Sequence, residues 1–499
     1  MENENLSRIA VKGSVYNLVS LLILKFGGLI FTIILARMLL PELFGIYALA
    51  LSIATLAMVF TDWGMENTFL RHLSESIGEK NKEKSRAFTR YFFKARFFLI
   101  IAVILVLTIV SKYLSYNIYK QPLLFYPLIF SCLFILAESF RTFFVILFTA
   151  KKDMKSIVFL DVSFQILKIL FSVFVILTLS DKIKISGIFL AFFASSLLTL
   201  FLEVFILTKK HKELLFGKKS SINKTQVNTY WKFMALATIS LSIFGSVDTL
   251  MLGKFVASEY LAYYRAALSL VITISSLLSL SSIFLPIFTQ IKNQRFERGF
   301  KKTFRYLMIF SIPATAGVIF LSNYLIKVVY GNQYLLGTSS LYFLSILIIT
   351  TPLIGFYSTI LQSKEKSKII GNSILVSLIF NIILNLIMIK IFIGNPLSMI
   401  AGVGFATSLS RVFLLALLIF YSKKEFNLKI KGIGLRSPVF ATLIMVIFLF
   451  LFNYFIDINI LFGIIEVIFG AGIYLGVLIL SKGVTKEDFD LIKGLFKRK

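Results

Sequence analysis

The sequence predicts an all-α, polytopic membrane protein with about fourteen transmembrane helices, and its composition is the first reason. Of its 499 residues, 58% are hydrophobic and only 15% are charged, whereas a soluble domain carries about 25% charged residues. The mean hydropathy is +0.88. A chain this long with so few polar groups has no way to cover a water-exposed surface, so it belongs in a bilayer.

The second reason is the length of the apolar runs, because a helix needs about 20 such residues to cross the hydrocarbon core. The chain contains fourteen runs of that kind. In chain order they are Val15–Ala36, Phe44–Asp62, Phe92–Val110, Leu123–Thr149, Ile157–Leu179, Ile185–Leu207, Phe233–Gly253, Leu261–Thr289, Tyr306–Ile326, Leu341–Leu361, Ile369–Ile393, Leu397–Tyr421, Val439–Ile456 and Ile460–Leu480.

The third reason is the distribution of charge, since 53 Lys and Arg residues stand against 24 acids and give a net charge of +29. Forty of the basic residues fall in loops on one side of the predicted membrane and nine on the other. Lys and Arg accumulate in cytoplasmic loops, so both termini are predicted to be cytoplasmic in the plasma membrane. The excess of basic residues therefore indicates topology and not nucleic-acid binding.

An internal repeat connects the two halves of the chain. The segment Ala36–Ser52 recurs loosely as Gly253–Ser269, with Glu42 aligned to Glu259 and Tyr47 to Tyr264. Each copy follows the first helix of a pair, and six predicted spans separate the copies. An even number of spans predicts a parallel repeat, with a pseudo-two-fold axis along the membrane normal and a central cleft between two six-helix lobes.

These segments resemble a known family. The run Leu35–Ala48 is similar to polysaccharide-biosynthesis flippases of the multidrug/oligosaccharidyl-lipid/polysaccharide exporter superfamily, and Val247–Phe255 with Tyr264–Ala267 is the matching part of the second half. The resemblance implies twelve helices in two lobes plus two extra C-terminal helices. It also implies export of lipid-linked sugars by alternating access, with no cofactor.

Domain boundaries follow from the loops and the repeat. We predict an N-terminal six-helix lobe over residues 1–210, a cytoplasmic linker over 211–232 and a C-terminal six-helix lobe over 233–425. Residues 426–499 would hold the two extra helices and a cytoplasmic tail.

Charged residues inside spans cost about 2.5–3.5 kcal/mol each at the bilayer centre, so each needs a partner, a wet cavity or a ligand. Glu138 and Arg141 are three residues apart on the fourth span and can face each other. Asp161 and Lys168 share a face of the fifth span but lie about 10 Å apart along the helix axis, too far to pair directly.

The remaining buried charges divide into central and peripheral ones. Lys25 and Arg411 lie near the middle of the first and twelfth spans, too far from the ends to reach the interface. Asp248 and Arg265 are close enough to the turn between their spans to meet, as a structural bridge or a gate. Solvated positions near span ends are expected for Asp62, Glu66 and Glu203, and Glu466 has no evident partner.

The resemblance gives these charges a role. It implies an isoprenoid-diphosphate-linked glycan as cargo, and Lys or Arg in a wet cleft can hold the diphosphate by charge and hydrogen bonds. We therefore predict cargo binding by five cations and gating or ion coupling by two acids. The cations are Lys25, Arg141, Lys168, Arg265 and Arg411, and the acids are Asp161 and Asp248.

Other functions are less well supported. The two histidines fall in predicted loops, Cys132 is the only cysteine, and there is no nucleotide-binding G-x-x-x-x-G-K-[ST] motif, so neither a metal site nor ATP hydrolysis is expected. The loops are too short for a soluble catalytic domain, and glycan-assembly enzymes are expected only as partners. The nearest rival is a cation-coupled multidrug exporter of the same design, which buried acids such as Asp161 and Asp248 would suit.

Overall fold

The computed structural model describes residues 23–218, 220–222, 224–279, 288, 293–364, 366–426, 434–455 and 460–484. The first helices are α1 (23–38), α2 (Pro41–Asp62), α3 (Met65–Gly78), α4 (Lys82–Tyr113), α5 (Phe125–Ala150), α6 (Met154–Thr178), α7 (Asp181–Lys210), α8 (Lys224–Phe255) and α9 (Ser258–Leu278). They are followed by α10 (Asn293–Phe320), α11 (Ser322–Tyr330), α12 (Thr338–Leu344), α13 (Leu347–Ser363), α14 (Ser367–Ile391), α15 (Pro396–Phe426), α16 (Arg436–Phe455) and α17 (Ile460–Leu480).

The prediction of an all-α membrane fold is confirmed. Within the described ranges there is no β-strand, and eleven helices are long and apolar enough to cross a membrane. The count becomes twelve if a helix pair bent by 43°, Asn332–Leu344 with Leu347–Ser363, forms one span. The first predicted span, Val15–Ala36, begins before the described residues, and the predicted tail over 486–499 lies outside them. The seventh predicted span, Phe233–Gly253, lies within α8.

Local sequence signals fix where several helices begin and end. Pro41 occupies the first turn of α2, where its missing N–H and fixed φ are favourable. The same helix ends where Trp63 adopts a left-handed conformation and donates its backbone N–H to Val59, as expected of a helix C-terminus. Helix α4 begins after Asn81, whose side chain accepts a hydrogen bond from the Lys84 backbone N–H at 2.9 Å.

The first compact unit comprises the described residues up to Arg265 together with Ile374–Val403. An apolar cluster closes one end of its helices, around Phe69, Phe92 and Phe143. The short helix α3, which the span prediction did not contain, contributes Phe69 to that cluster because its apolar side chains lie on one face. Helix α3 thereby holds the end of α2 against α4 and α5.

The second compact unit comprises Ala266–Ser373 and the described residues from Gly404 onwards. Within it the two C-terminal helices α16 and α17 pack against α10, through an apolar cluster that includes Ile309, Met445 and Leu449. The hydroxyl of Tyr474 donates a 2.6 Å hydrogen bond to the Ile309 carbonyl. The predicted boundaries of the two lobes remain predictions.

Candidate functional site

A cavity of about 510 Å³ lies among the helices of the first unit. Its wall combines aromatic rings, hydroxyl groups and charged side chains. The aromatic residues are Phe31, Tyr47, Phe134, Phe164 and Phe192, and the polar ones are Thr32, Asp62, Glu66, Arg96, Glu138, Ser139, Thr142, Lys168 and Thr238. A cavity with apolar walls and a few convergent polar groups is the usual form of a ligand site.

Arg141 is held by acids from three other positions. Its guanidinium donates two hydrogen bonds to the Glu138 carboxylate, at 2.8 and 2.7 Å, as the i,i+3 spacing predicts. Its Nη1 atom lies 3.6 Å from a carboxylate oxygen of Glu203 and 3.9 Å from one of Asp161. Ser196 donates a further hydrogen bond of 2.8 Å to Glu138. Arg141 therefore joins α5, α6 and α7 through its charge.

The expectation that Glu203 is solvated near a helix end is wrong. Its side chain is fully buried on α7 beside Arg141. Hydropathy placed it near the end of a span, but α7 continues to Lys210, so Glu203 lies two turns inside the helix.

A second buried arginine was not singled out by the sequence. Arg96 lies close to the start of the third predicted span, where water was within reach, yet it is inside α4 and 5% exposed. It forms an ion pair with Asp62 on α2, and it donates hydrogen bonds to the Ser139 carbonyl at 3.3 Å and to the Thr142 hydroxyl at 3.0 Å. The solvated position expected for Asp62 is therefore also wrong, since its carboxylate is paired.

Lys168 occupies a different environment in the same cavity. Its ammonium lies 4.7 Å from the centre of the Phe31 ring and 5.4 Å from that of Phe164. In the part of the chain that the structure describes, no carboxylate lies within 4 Å of it. Aromatic faces stabilise a cation only weakly compared with a carboxylate, so Lys168 keeps its charge available for a ligand.

Two of the predicted acids have well-defined partners. Asp161 lies beside Arg141, as described above. Asp248 accepts hydrogen bonds from the Tyr264 hydroxyl at 3.0 Å and from the Asn385 amide at 2.8 Å. The Asn385 amide also lies 3.5 Å from the Asn381 side-chain oxygen. This polar group connects α8, α9 and α14 within the first unit.

The other predicted cations are dispersed. Arg265 donates a 3.3 Å hydrogen bond to the Thr249 hydroxyl, on the helix that carries Asp248. Lys25 is exposed on α1, and Arg411 is half-buried on α15 of the second unit. Lys168 lines the cavity, and Arg141 and Asp161 lie behind it, where Arg141 binds the lining residue Glu138. Lys25 and Arg411 are not among the lining residues.

The two copies of the sequence repeat touch each other closely. A β-carbon added to Gly45 on α2 would overlap the backbone carbonyl of Ser258, the first residue of α9. A β-carbon on Gly253 would come within 2.7 Å of Leu49. Gly45 therefore allows the backbone of α2 to approach the start of α9 to a distance that larger residues forbid, and Gly253 makes room for the Leu49 side chain.

The fold and the cavity define the class of protein: a multi-pass membrane transporter with a charged cavity among its helices. A sequence model of the family described as "Polysaccharide biosynthesis protein" matches residues 34–340. The chain belongs to that family, and its fold is that of the multidrug/oligosaccharidyl-lipid/polysaccharide exporter superfamily. The resemblance inferred from the two repeat segments is confirmed.

Individual relatives are more distant. The chain is 22% identical over 280 residues to a probable low-salt glycan biosynthesis flippase, Agl15, of Haloferax volcanii, and the match covers 54% of this chain and 58% of that protein. The structure of a lipid II flippase, MurJ, has a TM-score of 0.69 at 19% identity and covers 95% of this chain and 99% of the other. A multidrug-resistance transporter of the same superfamily has a TM-score of 0.58 at 13% identity, covering 83% and 96%.

Proposed function

We propose that this protein moves an isoprenoid-diphosphate-linked glycan across the plasma membrane for cell-surface glycan assembly, as a transporter and not as an enzyme. The observation that carries the proposal is Lys168. A cation that faces a cavity among membrane-spanning helices without a protein carboxylate is costly, and an anionic ligand would offset that cost. The printed descriptions of the flippase relatives support the same class of cargo.

The chemistry of such a cargo explains why a transporter is needed. The diphosphate is anionic and the glycan is rich in hydroxyl groups, so neither part can cross hydrocarbon unaided. A wet cavity replaces the lost hydration, while the isoprenoid chain stays in the lipid. Alternating access of two six-helix lobes, with both termini in the cytoplasm, then moves the polar head group from one side to the other.

The proposed cargo-binding cations have unequal roles in this scheme. Lys168 binds the anionic part of the cargo directly. Arg141 acts by holding α5, α6 and α7 in position, because both of its well-aligned hydrogen bonds already go to Glu138. Lys25, Arg265 and Arg411 are proposed to contact the cargo at other stages of transport.

The test is transport of a fluorescent lipid-diphosphate oligosaccharide by the purified protein in proteoliposomes. Lys168→Met should lower the transport rate at least tenfold, because the anion loses its charged partner. Lys182→Met is the matched control, since Lys182 is exposed at the start of α7. Unchanged transport by Lys168→Met at equal protein content would remove Lys168 from the mechanism, and no transport by the unaltered protein would refute the proposed cargo.

Ion coupling is proposed for Asp161 and Asp248. Asp248 is the better placed of the two, because its hydrogen bonds come from the neutral Tyr264 hydroxyl and Asn385 amide, whereas Asp161 lies beside the charged Arg141. Asp248→Asn should abolish the dependence of transport on a proton or sodium gradient while cargo binding persists. Transport by Asp248→Asn that still responds to the gradient would exclude this role.

A second candidate function is cation-coupled export of organic cations. The carboxylates and aromatic rings of the cavity favour it, because both attract cationic ligands. A fluorescent organic cation would be expected to bind at Glu66, whose carboxylate has no ion pair within 4 Å among the described residues. Micromolar binding of the dye with no binding of the lipid-linked glycan would favour this function over the first.

A further inference from the structure

Among the described residues, the cavity has a second charged side chain with no side-chain hydrogen bond or ion pair within 4 Å, and its charge is opposite to that of Lys168. Glu66, on α3, lines the cavity and is accessible from it. Its backbone N–H donates to Asp62 at 3.2 Å. Among the residues whose positions are described, its carboxylate accepts no hydrogen bond and forms no ion pair within 4 Å.

The other charged groups facing the cavity are already neutralised in pairs. Asp62 is bound to Arg96, and Glu138 is bound to Arg141. The cavity therefore offers a ligand one available cation, on α6, and one available anion, on α3. A purely anionic ligand would satisfy Lys168 and leave Glu66 either solvated or repelled.

We infer that Glu66 determines specificity for the sugar part of the cargo, by accepting hydrogen bonds from hydroxyl or amino groups of the glycan while Lys168 holds an anionic group. This inference rests on the proposed function and adds the contact that distinguishes a glycosylated lipid from its bare diphosphate. A carboxylate accepts several hydrogen bonds at once and makes stronger ones than a neutral oxygen. The Thr32 hydroxyl lines the same cavity and donates its proton to the Gly28 carbonyl, so its oxygen can accept a further hydrogen bond from a sugar hydroxyl.

The experiment measures binding of two ligands to the full-length protein in nanodiscs: an isoprenoid diphosphate oligosaccharide and the same isoprenoid diphosphate without sugar. Glu66→Gln should weaken binding of the glycosylated lipid about tenfold, since a hydrogen bond to a charged group is lost. Binding of the sugar-free lipid should change less than twofold. Lys168→Met should weaken binding of both lipids by a similar factor.

A matched control is Glu83→Gln, an acid-to-amide change at an exposed position at the start of α4, which should affect neither ligand. An equal loss for both lipids in Glu66→Gln, or no loss for either, would overturn the inference while leaving the proposed function intact. Failure of the unaltered protein to bind either lipid would instead overturn the proposed function. Thermal unfolding of each variant in detergent identifies any loss that comes from misfolding.

Discussion

Two neighbouring cations of the first unit, Arg141 and Lys168, differ in their partners although both contact the ring of Phe164. Arg141, behind the cavity wall, is surrounded by Glu138, Asp161 and Glu203. Lys168, which lines the cavity, has no carboxylate within 4 Å among the described residues and lies over the rings of Phe31 and Phe164. The difference indicates that a charge bound by protein groups holds helices together, whereas a charge left to aromatic faces is available to a ligand.

The largest expected effect comes from breaking the first of these arrangements. Arg141→Met leaves the buried carboxylates of Asp161 and Glu203 and the half-buried one of Glu138 without their cation, and loss of one partner of a buried ion pair costs about 3–5 kcal/mol. We expect the free energy of unfolding, measured by reversible unfolding in mixed micelles, to fall by that amount. Adding Glu138→Gln to Arg141→Met should recover part of the loss. A decrease below about 1 kcal/mol would show that the acids are satisfied by other means.

A smaller loss is expected at the second arginine. Arg96→Met removes the partner of Asp62 and the hydrogen bonds to Ser139 and Thr142. We expect a loss of about 2–3 kcal/mol, because Asp62 faces the cavity and can be hydrated there. Lys94→Met, at an exposed position on the same helix, is the control. Equal stability of the two variants in the same unfolding assay would contradict the structural role of Arg96.

A third network lies outside the spans and responds to pH. Asp153 precedes α6 and accepts hydrogen bonds from Ser156, Lys210 and His211. Burial raises the pKa of this carboxyl, but the hydrogen bonds from Ser156, His211 and Lys210 outweigh burial and hold the pKa below its ordinary value. A carboxyl with a depressed pKa stabilises the folded state above its ordinary pKa, and this stability is lost as the pH falls through the depressed value.

Asp153→Asn keeps the helix cap but removes the charge, so we expect a loss of about 0.5–1 kcal/mol at neutral pH. The deficit should shrink as the pH falls below about 4, where the carboxyl of the unfolded chain binds a proton, and disappear below the depressed pKa of the folded state. Unfolding midpoints measured against pH test the prediction. Asp181→Asn, at an exposed acid that starts α7, is the control, and a deficit that does not vary with pH would contradict it.

The smallest change in stability is expected at Lys168, and this result would sharpen the comparison most. Lys168→Met removes two cation–π contacts but also removes the cost of holding an ammonium among helices. The free energy of unfolding should change by less than about 1 kcal/mol, while cargo binding falls as described above. A loss as large as that of Arg141→Met would place Lys168 among the structural charges.

Sequence reasoning predicted the contacts that local spacing determines. Glu138 and Arg141 are one helical turn apart, so their pairing followed from helix geometry. Hydropathy located the spans because each is an apolar run of about 20 residues, the length that a helix needs to cross the hydrocarbon core. It could not show that the tenth span is bent by 43° between α12 and α13, because hydropathy reports the length of an apolar run and not the direction of its axis.

Contacts between distant segments could not be predicted in this way. Asp62 and Arg96 are 34 residues apart and Arg141 and Glu203 are 62 apart, and a single sequence does not say which helices are neighbours. Both Asp62 and Arg96 lie near predicted span ends, where a charge has an acceptable position in water. Only the packing of α2, α4 and α5 shows that each of them is turned inwards.

The contact between Gly45 and Ser258 limits which residues each copy of the repeat can carry at this place. A duplicated segment is normally free to change in one copy while the other stays the same. Here the first copy packs its backbone against the start of the second, so any side chain at position 45 would separate them. The aligned position in the second copy, Ala262, does carry a methyl group and is fully buried. Position 45 therefore excludes a side chain that its aligned position accommodates, and the first copy cannot take the residue of the second there unless the start of α9 moves.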